Sequence, residues 1–221
     1  MQKFDTTAPI SAILDIPAGL IQLIASDRTD TTVDVRPANA AKNRDAKAAE
    51  EIEVSYADGV LRIEAPEAKN RILGHSGSVE VTVQLPAGSR VEGKAGAAEL
   101  RGVGRLGDVV FTGGYRSVKL DEAASARLAA HDGDVSVGRL GGPAEISTQR
   151  GDIRISEAMG GTVTLSTQSG DISVGAARGV SAALDAGTAY GRISNALKSD
   201  GTAALSIRAT TSHGDITAHS L

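Results

Sequence analysis

Arg150-Gly151-Asp152-Ile153-Arg154-Ile155 is the stretch whose repetition decides the fold. It recurs as Asp132-Gly133-Asp134-Val135-Ser136-Val137, Ser169-Gly170-Asp171-Ile172-Ser173-Val174 and His213-Gly214-Asp215-Ile216. Weaker copies are Arg116-Ser117-Val118-Lys119-Leu120, Ala98-Glu99-Leu100 and Gly191-Arg192-Ile193. With the glycine slot set to zero, the copies fall at 98, 116, 133, 151, 170, 191 and 214, in steps of 18, 17, 18, 19, 21 and 23 residues. A period of this size marks a solenoid coil.

The columns between copies carry the pattern further. Slot +2 is aliphatic throughout: Leu100, Val118, Val135, Ile153, Ile172, Ile193 and Ile216. Slot +4 holds Leu120, Val137, Ile155 and Val174, and lapses to Gly102, Asn195 and Ala218. Before the turn, slot -5 reads Gly93, Phe111, Leu128, Ile146, Leu165, Ala186 and Ala209, and slot -7 reads Val91, Val109, Ala126, Ala144, Val163, Leu184 and Ile207. Apolar residues two apart on each side of a Gly-Asp turn describe two strands with their inner faces marked. One such pair cannot bury its inner face alone, whereas parallel stacking of successive copies builds a continuous aliphatic core, and each whole coil supplies the long crossover that parallel strands need. The expected fold is an all-β parallel β-solenoid (β-helix) of 18-23-residue coils. Seven coils at about 4.8 Å each make a prism roughly 34 Å long.

The same slots fit Gly19, with Ala12, Leu14, Ile21 and Leu23, and Gly59, with Ile52, Val54, Leu61 and Ile63. Residues 1-90 therefore read as an N-terminal β part with longer insertions that caps the stack and forms its first coils, and 91-221 as the regular repeats, in one continuous domain. Ala40 to Glu51 is rich in helix formers, with Asn43 or Asp45 available as an N-cap, and predicts a short helix or a frayed loop. Ser78 to Leu85 alternates as a strand up to Pro86.

Composition narrows the function classes. Of 221 residues, 26 are Gly and 35 are Ala, while aromatics make up 2% and Trp is absent, so the core is thin and depends on backbone regularity. A net charge of -4 and the scarcity of rings to stack on bases argue against nucleic acid as a partner. Without Cys there is no disulfide frame, thiolate metal site or thiol nucleophile. Met1 to Thr6 has no apolar signal-peptide core, and Ile10 to Ala25 is too short and too interrupted by Asp15 and Pro17 to span a bilayer. These features predict a cytoplasmic chain, with the cell surface as the other location.

LDIPAGLIQL near the start, DGVLRIEA, and VTVQLPAGSRVEGKAG leading into reiterated RGDI, SGDI and HGDI turns together resemble the bacterial putative adhesin β-strand-repeat family, a domain of unknown function. The resemblance covers nearly the whole chain. It implies a parallel β-solenoid without known catalytic residues. Many members of that family look exported or membrane-tethered, a feature not matched by the first residues here.

Stacked Gly-Asp turns place Asp134, Asp152 and Asp171 above one another, with Arg192 expected next and Asp215 after it. Unit charges about 4.8 Å apart repel by roughly 3.5 kcal/mol at an effective dielectric of about 20. Relief comes from solvent, from hydrogen bonds between the carboxylates and neighbouring backbone N–H groups, or from a bound cation. The first two are favoured, because the nine-residue calcium-solenoid signature is absent and a guanidinium stands in the column.

Other motifs read as by-products of the repeat. Arg150-Gly151-Asp152 matches a receptor-recognised tripeptide, but the equivalent places read Asp-Gly-Asp, Ser-Gly-Asp and His-Gly-Asp. Gly102-Val103-Gly104-Arg105-Leu106-Gly107 spells a dinucleotide fingerprint, yet a strand pattern follows where a helix is required, so it reads as an inter-coil turn. Gly74-His75-Ser76-Gly77-Ser78 only approximates a nucleophile elbow and reads as a loop. His75, His131, His213 and His219 have no helical zinc spacing. No catalytic, cofactor or metal-ligating residue is therefore expected.

The leading expectation is a non-enzymatic binding or adhesin-like module presenting a polar face, with Asp152, Arg154, Asp171, Ser173, Asp215 and Thr217 on it, to a protein or envelope-polymer partner. The second is a self-assembling scaffold, a homo-oligomer stacked through an uncapped coil ending at Leu221. A polysaccharide-active β-helix enzyme is the third.

Overall fold

Each repeat folds as two strands hinged at its glycine turn, and corresponding strands pair in parallel register from coil to coil. The computed structural model describes residues 1–66 and 77–221. Parallel pairing runs down one face through Ala126↔Ala144, Ala144↔Val163 and Val163↔Ile207, and down the other through Val118↔Val135, Val135↔Ile153 and Ile153↔Ile172. The β-solenoid expected from the repeat is the fold observed. Gly74, His75 and Ser76 of the elbow-like motif lie outside the described residues.

The inner columns are those marked by the sequence. Leu100, Val118, Val135, Ile153, Ile172 and Ile216 are each no more than 1% exposed and form one file. Phe111, the one large ring in the opposing column, is fully buried because Gly93 on the neighbouring coil leaves room for it. Burying one Ile or Leu side chain contributes about 1.5–3 kcal/mol, and in this thin core the contribution is repeated at every coil.

The turn glycines are required by both conformation and space. Gly133, Gly151, Gly170 and Gly214 have φ values of 122°, 133°, 153° and 149°, where a side chain is strained. A methyl group on Gly151 would also collide with the carbonyl oxygen of Gly133, one on Gly170 with that of Gly151, and one on Gly214 with that of Gly170.

The last contact reveals an order that differs from the sequence. Strand Gly161–Ser169 pairs with Leu205–His213, which in turn pairs with Ala182–Tyr190. On the other face, Ile172–Ala176 pairs with Ile216–Ser220, which pairs with Ile193–Ala196. The final coil, 205–220, thus lies between coils 161–176 and 182–196. Two expectations are corrected: Asp215 follows Asp171 in the turn column and Arg192 comes after it, and the terminal coil of the stack is 182–196. Ile193 accordingly stays in register with Ile216 but is 46% exposed, since no described coil covers it.

At the opposite end, antiparallel strands close the stack. Gln2–Asp5 pairs with Asp30–Pro37, which pairs antiparallel with Val79–Pro86, itself parallel to Ser11–Ser26. Lys3 and Arg28 both contact Asp30, at 3.1 and 2.8 Å. Hydrogen bonds from Arg28, then from Lys3, hold the Asp30 carboxyl down to about 2.

Gly59 does not turn between two solenoid strands. Asp58 and Gly59 both have positive φ and close a tight antiparallel hairpin, so that Val60–Glu64 enters the parallel ladder beside Ser11–Asp15 and Glu53–Ala57 folds back outside it. Leu61 and Ile63 are buried, whereas Val54 is only partly so. The helix spans Asn43–Glu51 with Lys42 at its N-cap and no side-chain cap. Asp45 lies inside the first turn instead, with its carboxylate accepting the Ser78 N–H at 3.0 Å. Gly102–Gly107 is a bent part of the long strand Arg90–Gly113, with a register shift between Gly102 and Arg105.

Two measurements check this architecture. Ile172→Asp puts an unpaired charge into the aliphatic file and is expected to cost about 4 kcal/mol or more, whereas Ser173→Asp, facing outward, stays within about 0.5 kcal/mol. Equal thermal melting of the two variants would contradict the inward and outward assignment. The Cys-free chain also permits a test of coil order. Oxidation should cross-link Ser166→Cys with Thr210→Cys, whose native hydroxyls are 3.3 Å apart, and should fail for Ser166→Cys with Gly187→Cys.

Candidate functional site: the turn edge and the outer faces

Where two strands meet at a Gly-Asp turn, the regular exchange of backbone hydrogen bonds breaks, and two backbone groups per coil are left to side chains. The Gly N–H still reaches backbone: Gly133 donates to Arg150 O, Gly151 to Ser169 O, Gly170 to His213 O and Gly214 to Tyr190 O, at 2.7–2.9 Å. The carbonyl of the Asp slot is also satisfied, by Val135, Ile153, Ile172 and Ile216 N–H donating to Asp152, Asp171, Asp215 and Arg192 O. The Asp-slot N–H and the Gly C=O remain.

Asp carboxylates accept the first. Asp152 N–H donates to Asp134 Oδ1 at 2.9 Å, Asp171 N–H to Asp152 Oδ1 at 2.8 Å, Asp215 N–H to Asp171 Oδ1 at 2.7 Å and Arg192 N–H to Asp215 Oδ1 at 2.9 Å. Of the three ways to relieve a stacked carboxylate column, two are seen together: Asp134, Asp152 and Asp171 are exposed to solvent, and their carboxylates accept backbone N–H groups. The guanidinium of Arg192 closes the series, its Nε and terminal nitrogen donating to Asp215 Oδ2 at 3.2 and 2.8 Å. Those side-chain bonds, followed by the Arg192 N–H, hold the Asp215 carboxyl below its ordinary value, and the same contact raises Arg192.

Threonines satisfy the second group. Thr148, Thr167, Thr211 and Thr188 donate from Oγ1 to the carbonyls of Gly133, Gly151, Gly170 and Gly214, at 3.4, 3.1, 3.1 and 3.0 Å. All four occupy slot -3, an inward position, and the first three are buried. Sequence reasoning missed this column because the apolar slots beside it took the attention. The signal was present, since a threonine at slot -3 in four of the five Gly-Asp or Gly-Arg copies, with Ala130 in the fifth, is not an inner-face residue by hydrophobicity.

The motif residues singled out from sequence are engaged in this framework. Arg150 pairs with Asp132 at 3.0 Å and Asp152 with the next turn, so the tripeptide belongs to the stack. His131 stacks on Tyr115 with centroids 5.6 Å apart, and His213 on Tyr190 at 5.0 Å. Among the described residues no group of three or more His, Asp or Glu is placed to hold a metal ion, and no helix is long and apolar enough to cross a membrane.

The two outer faces differ in charge. On the pre-turn face, ions neutralise along their own column: Arg127 pairs with Glu145 at 3.3 Å and Arg208 with Asp185 at 3.4 Å. On the post-turn face, slot +3 runs Arg101, Lys119, Ser136, Arg154, Ser173, Thr217 and Ser194 from coil to coil, and Arg101 forms no ion pair among the described residues. Among the described residues neither Lys119 nor Arg154 forms an ion pair. Of the six face residues expected from sequence, Arg154, Ser173 and Thr217 lie together in this column, while Asp152, Asp171 and Asp215 are bound into the turns.

A parallel β-solenoid with carboxylate-bridged turns and free polar columns is the class these features define. The chain belongs to the Toastrack DUF4097 family, which matches residues 105–219, just over half its length. Three solved structures are similar to it. A putative adhesin from Bacteroides fragilis has 14% identity and a TM-score of 0.46, covering 98% of this chain and 95% of that one. A putative cell adhesion protein from Clostridium sporogenes has 12% identity and a TM-score of 0.43, covering 100% and 98%. A putative adhesin from Parabacteroides distasonis has 18% identity and a TM-score of 0.43, covering 98% and 95%. No curated protein matches.

Replacing Thr167 by the isosteric Val leaves the Gly151 carbonyl without its donor and is expected to cost about 1–3 kcal/mol. Thr164→Val, on the outer side of the same strand, should stay within about 0.5 kcal/mol. Equal denaturant midpoints for the two would remove the threonine column from the account.

Proposed function

We propose that the chain is a non-enzymatic, adhesin-like binding module, whose post-turn face docks on a protein or an envelope polymer. The observation that carries this reading is the inequality of the two faces. Carboxylates that could serve as general acids are held by backbone N–H groups in the turns, and the charges of the pre-turn face cancel within it. Among the described residues the slot +3 column keeps three unpaired cations, Arg101, Lys119 and Arg154, with hydroxyls repeated at the coil spacing. Such a surface is flat and periodic, suited to a partner that is itself extended and bears acidic or hydroxyl groups. Membership of the Toastrack family and the names borne by the similar structures support an adhesive role over a catalytic one.

The test is co-sedimentation with purified envelope polymer and capture of surface proteins from the same cells, using the native chain and an Arg154→Glu, Thr217→Tyr variant. Loss of at least about tenfold in capture, with melting unchanged, is expected. Equal capture by the variant would remove this face from the reading. Turnover of a glycan that disappears on Asp152→Ala or Asp171→Ala would replace binding by catalysis.

A further inference from the structure

The two ends of the stack are built differently. One is closed by antiparallel strands whose outermost member, Gln2–Asp5, carries Lys3 and Asp5. The other ends on coil 182–196, whose two strands each pair on one side only among the described residues. Exposed edges in monomeric proteins carry charges, Pro or bulges that deter pairing. Ala182–Tyr190 has a single ion, Asp185, already paired with Arg208 of its own chain, and Ile193–Ala196 has none. Half-buried Leu184 and Ala186 and the 46%-exposed Ile193 leave both inner columns open at this end.

We propose that a second copy of this chain docks here, coil 182–196 against coil 182–196, to form a closed two-fold dimer. The occupant must satisfy two strand edges at once, at the spacing between the two faces of the solenoid, and must cover the aliphatic columns between them. An extended peptide supplies one edge, whereas the end of another copy supplies both at the matching separation.

A two-fold axis normal to the faces sets each edge against its own counterpart running antiparallel. Centred on Ala186, the rotation puts Leu184 opposite Thr188, so inward residues meet inward residues, and puts Asp185 opposite Gly187, so the like charges are not opposed. Gly187 has no atom within 4 Å of where a Cβ would stand, which leaves space beside that carboxylate. Because the other end is capped, the contact uses one patch twice and closes at two copies.

Sedimentation velocity from micromolar to millimolar protein should show a monomer–dimer equilibrium and no larger species. Ile193→Lys puts a charge into the apolar column that the second copy covers and is expected to weaken association at least about tenfold, while Thr217→Lys, one coil inward and facing out, changes it less than about twofold. Thr217 lies on the proposed binding face, so dimer loss and polymer-binding loss are read from different variants. If Ile193→Lys does not fold, hydrogen exchange on the native chain decides: amides of 182–196 should gain protection with concentration in step with the mass. A monomer throughout, a ladder of higher oligomers, or a dimer whose exchange is slowed elsewhere overturns the proposal.

Discussion

A turn that must lie directly on a copy of itself, one strand spacing away, is the constraint from which the rest of this structure follows. It forbids a side chain at the glycine, because the neighbouring carbonyl occupies the place of a Cβ. It leaves one N–H and one C=O per coil without a backbone partner, and buried or half-buried groups of that kind are costly unless paired. Asp at slot +1 and Thr at slot -3 are short side chains that reach those groups on a neighbouring coil. The Gly-Asp motif and the Thr column are therefore answers to one geometric requirement, and their repetition gives the solenoid its register.

Much of this was legible in the sequence, and the parts that were not share a cause. Slot +2 named the buried file from Leu100 to Ile216 because burial and periodicity are local signals. Columns say which residues are equivalent, however, and nothing about which copy lies beside which. The inversion of the last two coils was written only in indirect signs: the longer steps to 191 and 214, and the lapse of slot +4 to Asn195, which fits an end coil that buries little. At Gly59 the adjacent Asp58 was the missed clue, since Asp-Gly favours a two-residue hairpin over a solenoid corner. The expected helix cap failed because Asp45 is drawn inward to bind Ser78 N–H, a partner distant in sequence.

The same geometry explains why short motifs mislead in a chain of this type. A tripeptide such as Arg150-Gly151-Asp152 or a glycine-rich run such as Gly102–Gly107 is selected by backbone stacking before any ligand is considered. What can distinguish function is the residue set the framework does not use, and here that set is the outward column through Lys119, Arg154, Ser173 and Thr217. The half of the site carried by Asp was visible as a pattern: its carboxylates are exposed to water and also bridge successive turns through backbone N–H groups.

The inserted position of coil 205–220 has a consequence for synthesis. As the chain leaves the ribosome, residues 182–196 emerge before the segment that will separate them from 161–176, and the nearest free edge offered to them is the one that segment must later occupy. Their own columns match it, Ile193 on Ile172 and Leu184 on Val163, so a nascent intermediate can form in the native register but with one coil too few. From that intermediate, the coil has to lift away and admit residues 205–220 beneath it, a rearrangement that a sequentially wound solenoid does not need.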